Sequence, residues 1–153
     1  MANTYSQIYL HLVFAVKYRR AAILKKWSPS LYSVIGNLIN ETGCKTFIVN
    51  GVEDHVHCLV GLKPAISVSE LMKSVKAKSS KFINEERLTP TRFEWQTGYG
   101  AFSLHRSRVN QVYRYIQNQE EHHRKVAFKE EYTNILTDLG IKFDPQYTFQ
   151  NLS

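Results

Sequence analysis

Apolar side chains repeat every second residue over 8–16 and at helical spacing over 31–39, and the two periods go on alternating along the chain. A sequence that switches period in this way builds strands and helices in turn. Ile8, Leu10, Leu12, Phe14 and Val16 interleave with Tyr9, His11, Val13 and Ala15 as a first strand. Ser28-Pro29 then reads as the N-cap and first position of a helix carried by Leu31, Val34, Ile35, Leu38 and Ile39, with Gly43 as its stop. Residues 44–49 form a second strand, and Asn50-Gly51 begins a turn that Val52, Glu53 and Asp54 lengthen. A third strand follows within GVEDHVHCLVGL and ends near residues 61–64. Ser67-Val68-Ser69-Glu70 is a capping box for the next helix, with Leu71, Met72 and Val75 on its apolar stripe. FEWQTGYGAFSL holds a fourth strand in which Gly98 and Gly100 permit close backbone approach. A third helix runs from about Ser107 to Arg124, a short one ends near Gly140, and the tail IKFDPQYTF is extended. That tail covers either a sheet edge or a dimer seam.

The order predicts the α+β class: an antiparallel sheet with helices packed mainly on one face, a ferredoxin-like or RRM-like βαββαβ core plus a C-terminal helix. Residues 1–153 are read as a single domain, with the other sheet face available for a substrate. No apolar stretch approaches the roughly 20 residues that span a bilayer, and the N-terminus lacks the basic region and cleavage site of a signal peptide. Cys44 and Cys58 make neither a disulfide framework nor a metal-type pair, so a cytoplasmic location with no membrane contact is expected. Twenty Lys+Arg against 13 Asp+Glu give a net charge of +7, which favours a polyanion such as nucleic acid. The charge is concentrated in two clusters that can track phosphates: Lys17, Arg19 and Arg20 around Tyr18, and Lys73, Lys76, Lys78 and Lys81. Tyr18, Trp95 and Tyr99 either stack on unpaired bases or belong to the core.

Strand alternation puts His55, His57 and Leu59 on one face and Val56, Cys58 and Val60 on the other. Two imidazoles about 6 to 7 Å apart along a strand either converge on a metal ion or are partly buried polar residues. A metal needs a third ligand, and the third helix offers one. Val109, Val112, Tyr113 and Ile116 take its core spacing, which assigns Tyr113 to packing. Tyr115 lies about 200° around the helix from Tyr113, with Gln119 one turn on and His122 continuing the same polar strip. Such a strip presents a phenol and an amide oxygen together to a metal, or else is a solvated face. Asp54 is either an acceptor that orients His55 or a turn residue, and His11 and His105 are read as structural.

These stretches in combination, HLVFAVKYRR, GVEDHVHCLVGLKP, SVSELMKSVKAKSSKFI, FEWQTGYGAFS and YRYIQNQEEHH, resemble the HUH nucleases. More closely, they resemble the TnpA-like single-tyrosine transposases of the smallest insertion sequences. The resemblance implies that His55, His57 and Gln119 ligate a divalent metal and that Tyr115 is the nucleophile, with Tyr113 and Gln117 as a nearby competing pair. It implies cleavage and rejoining of single-stranded DNA at hairpin-bearing element ends, through a 5′-phosphotyrosine and with no nucleotide cofactor. It further implies a homodimer in which each Tyr115 helix docks on the other subunit's histidines. Imidazole and amide-oxygen ligands suit Mn²⁺ and tolerate Mg²⁺. Three competing readings remain: a domesticated hairpin-DNA binding or nicking protein, a His-dependent metallohydrolase, and a non-catalytic nucleic-acid binder.

Overall fold

Two strands are buried on both faces, β1 (Tyr9–Ala15) and β3 (His55–Gly61), and they lie side by side at the centre of a four-stranded sheet. Their flanks are β2 (Lys45–Val52) and β4 (Gly100–Leu104), in the order β2-β3-β1-β4 with every pair antiparallel. The computed structural model describes residues 3–145, 148 and 149. With α1 (Ser28–Glu41) and α2 (Val68–Glu85) as the two connecting helices, this is the expected βαββαβ core.

Both long helices pack on one face of the sheet. Leu31, Ile35 and Ile39 of α1 and Leu71, Met72, Val75 and Ile83 of α2 meet Leu10, Leu12, Phe14, Val56, Cys58 and Val60. Phe93 and Trp95 close that core, and the Trp95 indole donates to Ser79 at 3.0 Å, so Trp95 is a core residue rather than a stacking platform. Ser67 caps α2 as expected, accepting from the Glu70 amide at 3.1 Å.

The opposite face, which the sequence left open for a substrate, is roofed by three short helices. These are α3 (Val109–Gln117), α4 (Gln119–His123) and α5 (Phe128–Asp138). The single helix expected over 107–124 is broken: Arg106–Arg108 is a 3-10 turn, and Asn118 leaves helical geometry at φ −97°, ψ 22°. The break is held by β2, because Asn50 donates its side-chain amide to the Ile116 and Gln117 carbonyls at 2.9 and 3.2 Å. A nine-residue helix is too short to persist alone, so such contacts decide where α3 sits. From the C-terminal tail, Phe149 packs on Phe128 and Tyr132 of α5, with ring centroids 5.5 and 4.8 Å away. Gln146 and Tyr147 of that tail lie outside the described residues.

The β2–β3 turn is tighter than expected. Asn50 and Gly51 remain in the strand, and only Glu53 and Asp54 form the turn. A β-carbon on Gly51 would stand 2.2 Å from the His55 carbonyl oxygen and 3.0 Å from Val56 Cα, both of them backbone. Gly51→Ala is therefore expected to part the hairpin at the residue that carries His55, lowering stability by ~1–3 kcal/mol in a denaturant melt. An unshifted melt would refute that close approach. Gly100 plays a comparable part on β4, where the Tyr132 hydroxyl fills the space a side chain would take, 2.8 Å from the β-carbon position.

Candidate active site

β3 brings His55 and His57 to the roofed face, both fully buried, opposite Ala15 and Val13 of β1. Each has a partner behind it. His55 Nδ1 lies 2.7 Å from Asp54 Oδ1, and His57 Nδ1 lies 2.7 Å from His11 Nε2. Asp54 is thus more than a turn residue, and His11 is the buried neighbour of a candidate ligand. The other ring nitrogens face outward to one carboxylate, that of Glu131 on α5, which is 2% exposed. Glu131 Oε1 is 3.2 Å from His55 Nε2, 3.1 Å from His57 Nε2 and 3.1 Å from His123 Nε2.

The second carboxylate oxygen of Glu131 faces the tyrosine helix. Half-buried Tyr115 donates its hydroxyl to Oε2, and the Gln119 amide nitrogen donates to the same atom at 3.1 Å. Gln119 Oε1 turns to His55 Nε2 at 3.3 Å. His122 Nε2 comes within 3.2 Å of Oε2 without forming a hydrogen bond.

The donors and acceptors of the cluster do not balance without positive charge. A carboxylate only accepts, so His55 donates its Nδ1–H to Asp54. Its Nε2 then stands between two acceptor oxygens, those of Glu131 and Gln119. A lone pair there is repulsive, and positive charge resolves it, either as a second ring proton or as a metal ion. Burial pulls the His55 pKa down, but the bonds to Asp54 and Glu131 outweigh it and the net shift is upward. At His57 and His11 burial prevails, lowering them to about 4 and about 3. Burial pushes Glu131 up, yet His123, His55 and His57 hold it far below the ordinary carboxylate range. Tyr115 is raised well above an ordinary phenol, by burial first and then by the Glu131 charge. The ligand atoms of His55, His57, His123 and Glu131 lie within 4.8 Å of one another. Nitrogen and oxygen donors that converge in this way, with orienting partners behind both strand histidines, fit a divalent metal ion.

The other sequence-predicted residues divide by sheet face. Tyr113, expected to pack, is 37% exposed, while Ile116 and Gln119 are buried; the helix is turned so that Tyr115 rather than Tyr113 looks inward. The first basic cluster leaves β1 beside the site, where the Val16 amide donates to the Asp54 carbonyl at 2.8 Å. Arg19 and Arg20 are exposed there, whereas Lys17 pairs with Glu94 at 3.7 Å and Tyr18 donates to Glu94 at 2.7 Å. The second cluster lies on α2, across the sheet from the histidines. Lys73, Lys78 and Lys81 are exposed on it, but Lys76 is spent on the Gln96 and Gly98 carbonyls at 2.7 and 2.8 Å. His105 caps the 3-10 turn through the Ser107 amide at 3.1 Å. A cavity of about 560 Å³ opens beside His123, with Lys25, Tyr32, Asn50 and Arg124 in its walls.

Sequence reasoning missed Glu131 and His123. A signal for Glu131 was present: Phe128, Tyr132 and Leu136 define the buried stripe of α5, and Glu131 falls on it as a charged residue at an apolar position.

The family model described as "Transposase IS200 like" matches residues 4–119. The ISDra2 transposase TnpA of Deinococcus radiodurans is 22% identical over 120 residues, which are 75% of this chain and 86% of that protein. The transposase for insertion sequence element IS200 of Salmonella typhimurium is 31% identical over 86 residues; the match takes in 56% of this chain and only 57% of that relative. A solved structure of a candidate transposase from Deinococcus radiodurans superposes with a TM-score of 0.61 at 19% identity, covering 78% of this chain and 95% of that one. A REP-associated tyrosine transposase bound to a REP hairpin also gives 0.61, at 12% identity, over 98% of this chain and 91% of that one. At such identities the two structures speak for the fold. Among the described residues no helix is long and apolar enough to cross a membrane.

Proposed function

Since this chain belongs to the IS200-like transposase family, we propose that it cleaves and rejoins single-stranded DNA through a 5′-phosphotyrosine on Tyr115. The observation that carries this reading is the convergence of the Tyr115 hydroxyl and three imidazoles on opposite oxygens of one buried carboxylate. His55 and His57 would hold the ion, with Gln119 as the third ligand. A bound Mg²⁺ or Mn²⁺ supplies positive charge against the charge that develops on the scissile phosphate.

The protein's own residues do the rest. Glu131 Oε2 fixes the direction of the Tyr115 hydroxyl, and its negative charge keeps the phenol protonated until positive charge enters the site. Tyr115 oxygen then bonds to phosphorus as the bond to O3′ breaks; the phenol gives its proton to solvent and the released O3′ takes one up. Attack by a 3′-hydroxyl reverses the step and rejoins DNA with no nucleotide cofactor, because the phosphotyrosine bond conserves the energy of the broken one.

Hairpin-bearing element ends are the proposed substrate, supported by family membership and by the REP hairpin in the structural relative. Exposed Arg19 and Arg20 beside the site would contact its phosphates first, with Lys17 and Tyr18 released from Glu94. Lys73, Lys76, Lys78 and Lys81 would engage only DNA that wraps around to the α2 face. Cleavage is proposed to occur in cis, because Tyr115 donates to Glu131 and its ring centroid lies 5.8 Å from that of His57 within the same fold. A homodimer is then an assembly for handling two DNA ends and is not needed to complete the site. The chain would act in the cytoplasm.

The test uses labelled single-stranded oligonucleotides carrying candidate hairpin ends, incubated with Mn²⁺ or with EDTA. A covalent protein–DNA adduct that forms with Mn²⁺ and is lost with EDTA is expected. Hairpin binding without cleavage in either buffer would leave a domesticated or non-catalytic binder.

A further inference from the structure

The family match ends at residue 119, yet the residue on which the whole site converges is twelve positions further on. We propose that Glu131 is itself a ligand of the divalent ion, so that α5 completes in cis a metal site for which the family-matched segment supplies His55, His57 and Gln119. This rests on the metal reading given above.

Three features of the structure carry it. First, Glu131 Oε1 sits at the focus of three imidazole nitrogens, 3.1, 3.1 and 3.2 Å away, so an ion drawn to those nitrogens is drawn to this oxygen as well. Second, the carboxylate is buried, and among the described residues no lysine or arginine pairs with it. A buried charge is tolerated only when compensated, and a divalent ion between the carboxylate and the imidazoles compensates it where no lysine or arginine does. Third, its orientation is already set. Gln119 and Tyr115 hold Oε2, while Phe128 and Tyr132, both buried in the second core, anchor the helix on either side. Oε1 is thereby left pointing at the histidines.

The donor count is also right. His55, His57, Gln119 and Glu131 would supply four ligands and leave room for phosphate oxygen and water on a hard divalent ion. A carboxylate raises the affinity for such hard cations over that of imidazole and amide alone. His123, from the same extension, also lies 3.1 Å from Oε1.

The experiment is a Mn²⁺ titration of the full chain by calorimetry and electron paramagnetic resonance, comparing wild type, His57→Ala, Glu131→Gln and Glu131→Asp. Circular dichroism melts report folding, and Co²⁺ substitution gives a visible spectrum sensitive to the donor set. Glu131→Gln is expected to weaken Mn²⁺ binding by about tenfold or more, and Glu131→Asp to shift the Co²⁺ bands. Wild-type affinity in Glu131→Gln, with binding lost in His57→Ala, would overturn the Glu131 assignment and leave the metal reading standing. Unchanged binding in His57→Ala would instead sink the metal reading itself. If Glu131→Gln does not fold, Glu131→Asp decides alone, and a Co²⁺ spectrum and affinity identical to wild type would overturn the proposal.

Discussion

Tyr115→Phe is expected to remove the proposed covalent adduct with single-stranded hairpin DNA, and Tyr113→Phe to retain it. Tyr115 donates to Glu131 beside the histidines, whereas Tyr113 on the same helix is exposed. Losing a nucleophile removes the chemical step, so cleavage is expected to fall on the order of 10⁴-fold or more. The fold should survive. The substitution deletes one hydrogen bond to a carboxylate that keeps its partners in Gln119, His55, His57 and His123, at a cost of about 1–3 kcal/mol. Denaturing gels with 5′- and 3′-labelled strands, paired with a thermal melt, separate the two effects. Cleavage that survives Tyr115→Phe with no adduct would replace the tyrosine mechanism with metal-dependent hydrolysis. An adduct lost in Tyr113→Phe instead would move the nucleophile.

Acid is expected to destabilise the metal-free protein steeply between about pH 6.5 and pH 4. The folded pKa values of His57 and His11 are lowered to about 4 and about 3, from 6.5 in the unfolded chain. Below 6.5 the unfolded state therefore binds protons that the folded state refuses, and stability falls as pH falls. One to two such protons correspond to ~1.4–2.7 kcal/mol per pH unit. Glu131 extends the loss to lower pH, because its contribution begins to fall in the ordinary carboxylate range and goes on falling toward the much lower pKa of the folded state. His55 has the opposite sign: its raised pKa contributes stability at low pH that is lost as pH rises above 6.5. The groups facing the two depressed histidines are Glu131, His55, His123 and Tyr115. Melting temperatures across pH 4 to 8 in EDTA check the slope, and a flat profile would mean that these rings are not buried neutral. Added Mn²⁺ should protect least at the acid end, where protons compete for its ligands.

The strands were legible because side-chain alternation is a property of the strand itself. A period of two puts His55 and His57 on one face whatever packs above them, and the structure has them there, fully buried. The helix was less so. Val109, Val112, Tyr113 and Ile116 look like a core stripe, and that spacing turned Tyr113 inward on the assumption of an apolar partner surface. The surface beneath is polar, built from His11, His57 and Asn50, so α3 meets it with Tyr115 and then, across the break at Asn118, with Gln119. The sequence singled out Tyr115 by a mistaken account of the helix face, and the structure turns Tyr115, not Tyr113, toward the histidines.

Period, caps and charge, all local properties of the chain, determined the element order, the α+β class, the paired imidazoles and the basic surplus. Only the tertiary structure decided that α5 returns across the sheet to bury Glu131 against histidines 74 and 76 positions earlier in the chain, and that Asn50 breaks the tyrosine helix where Gln119 must turn inward. A strand carries its own facing rule, but a short helix takes its orientation from the surface it covers. No spacing within α5 could report which buried positive charge its carboxylate would meet.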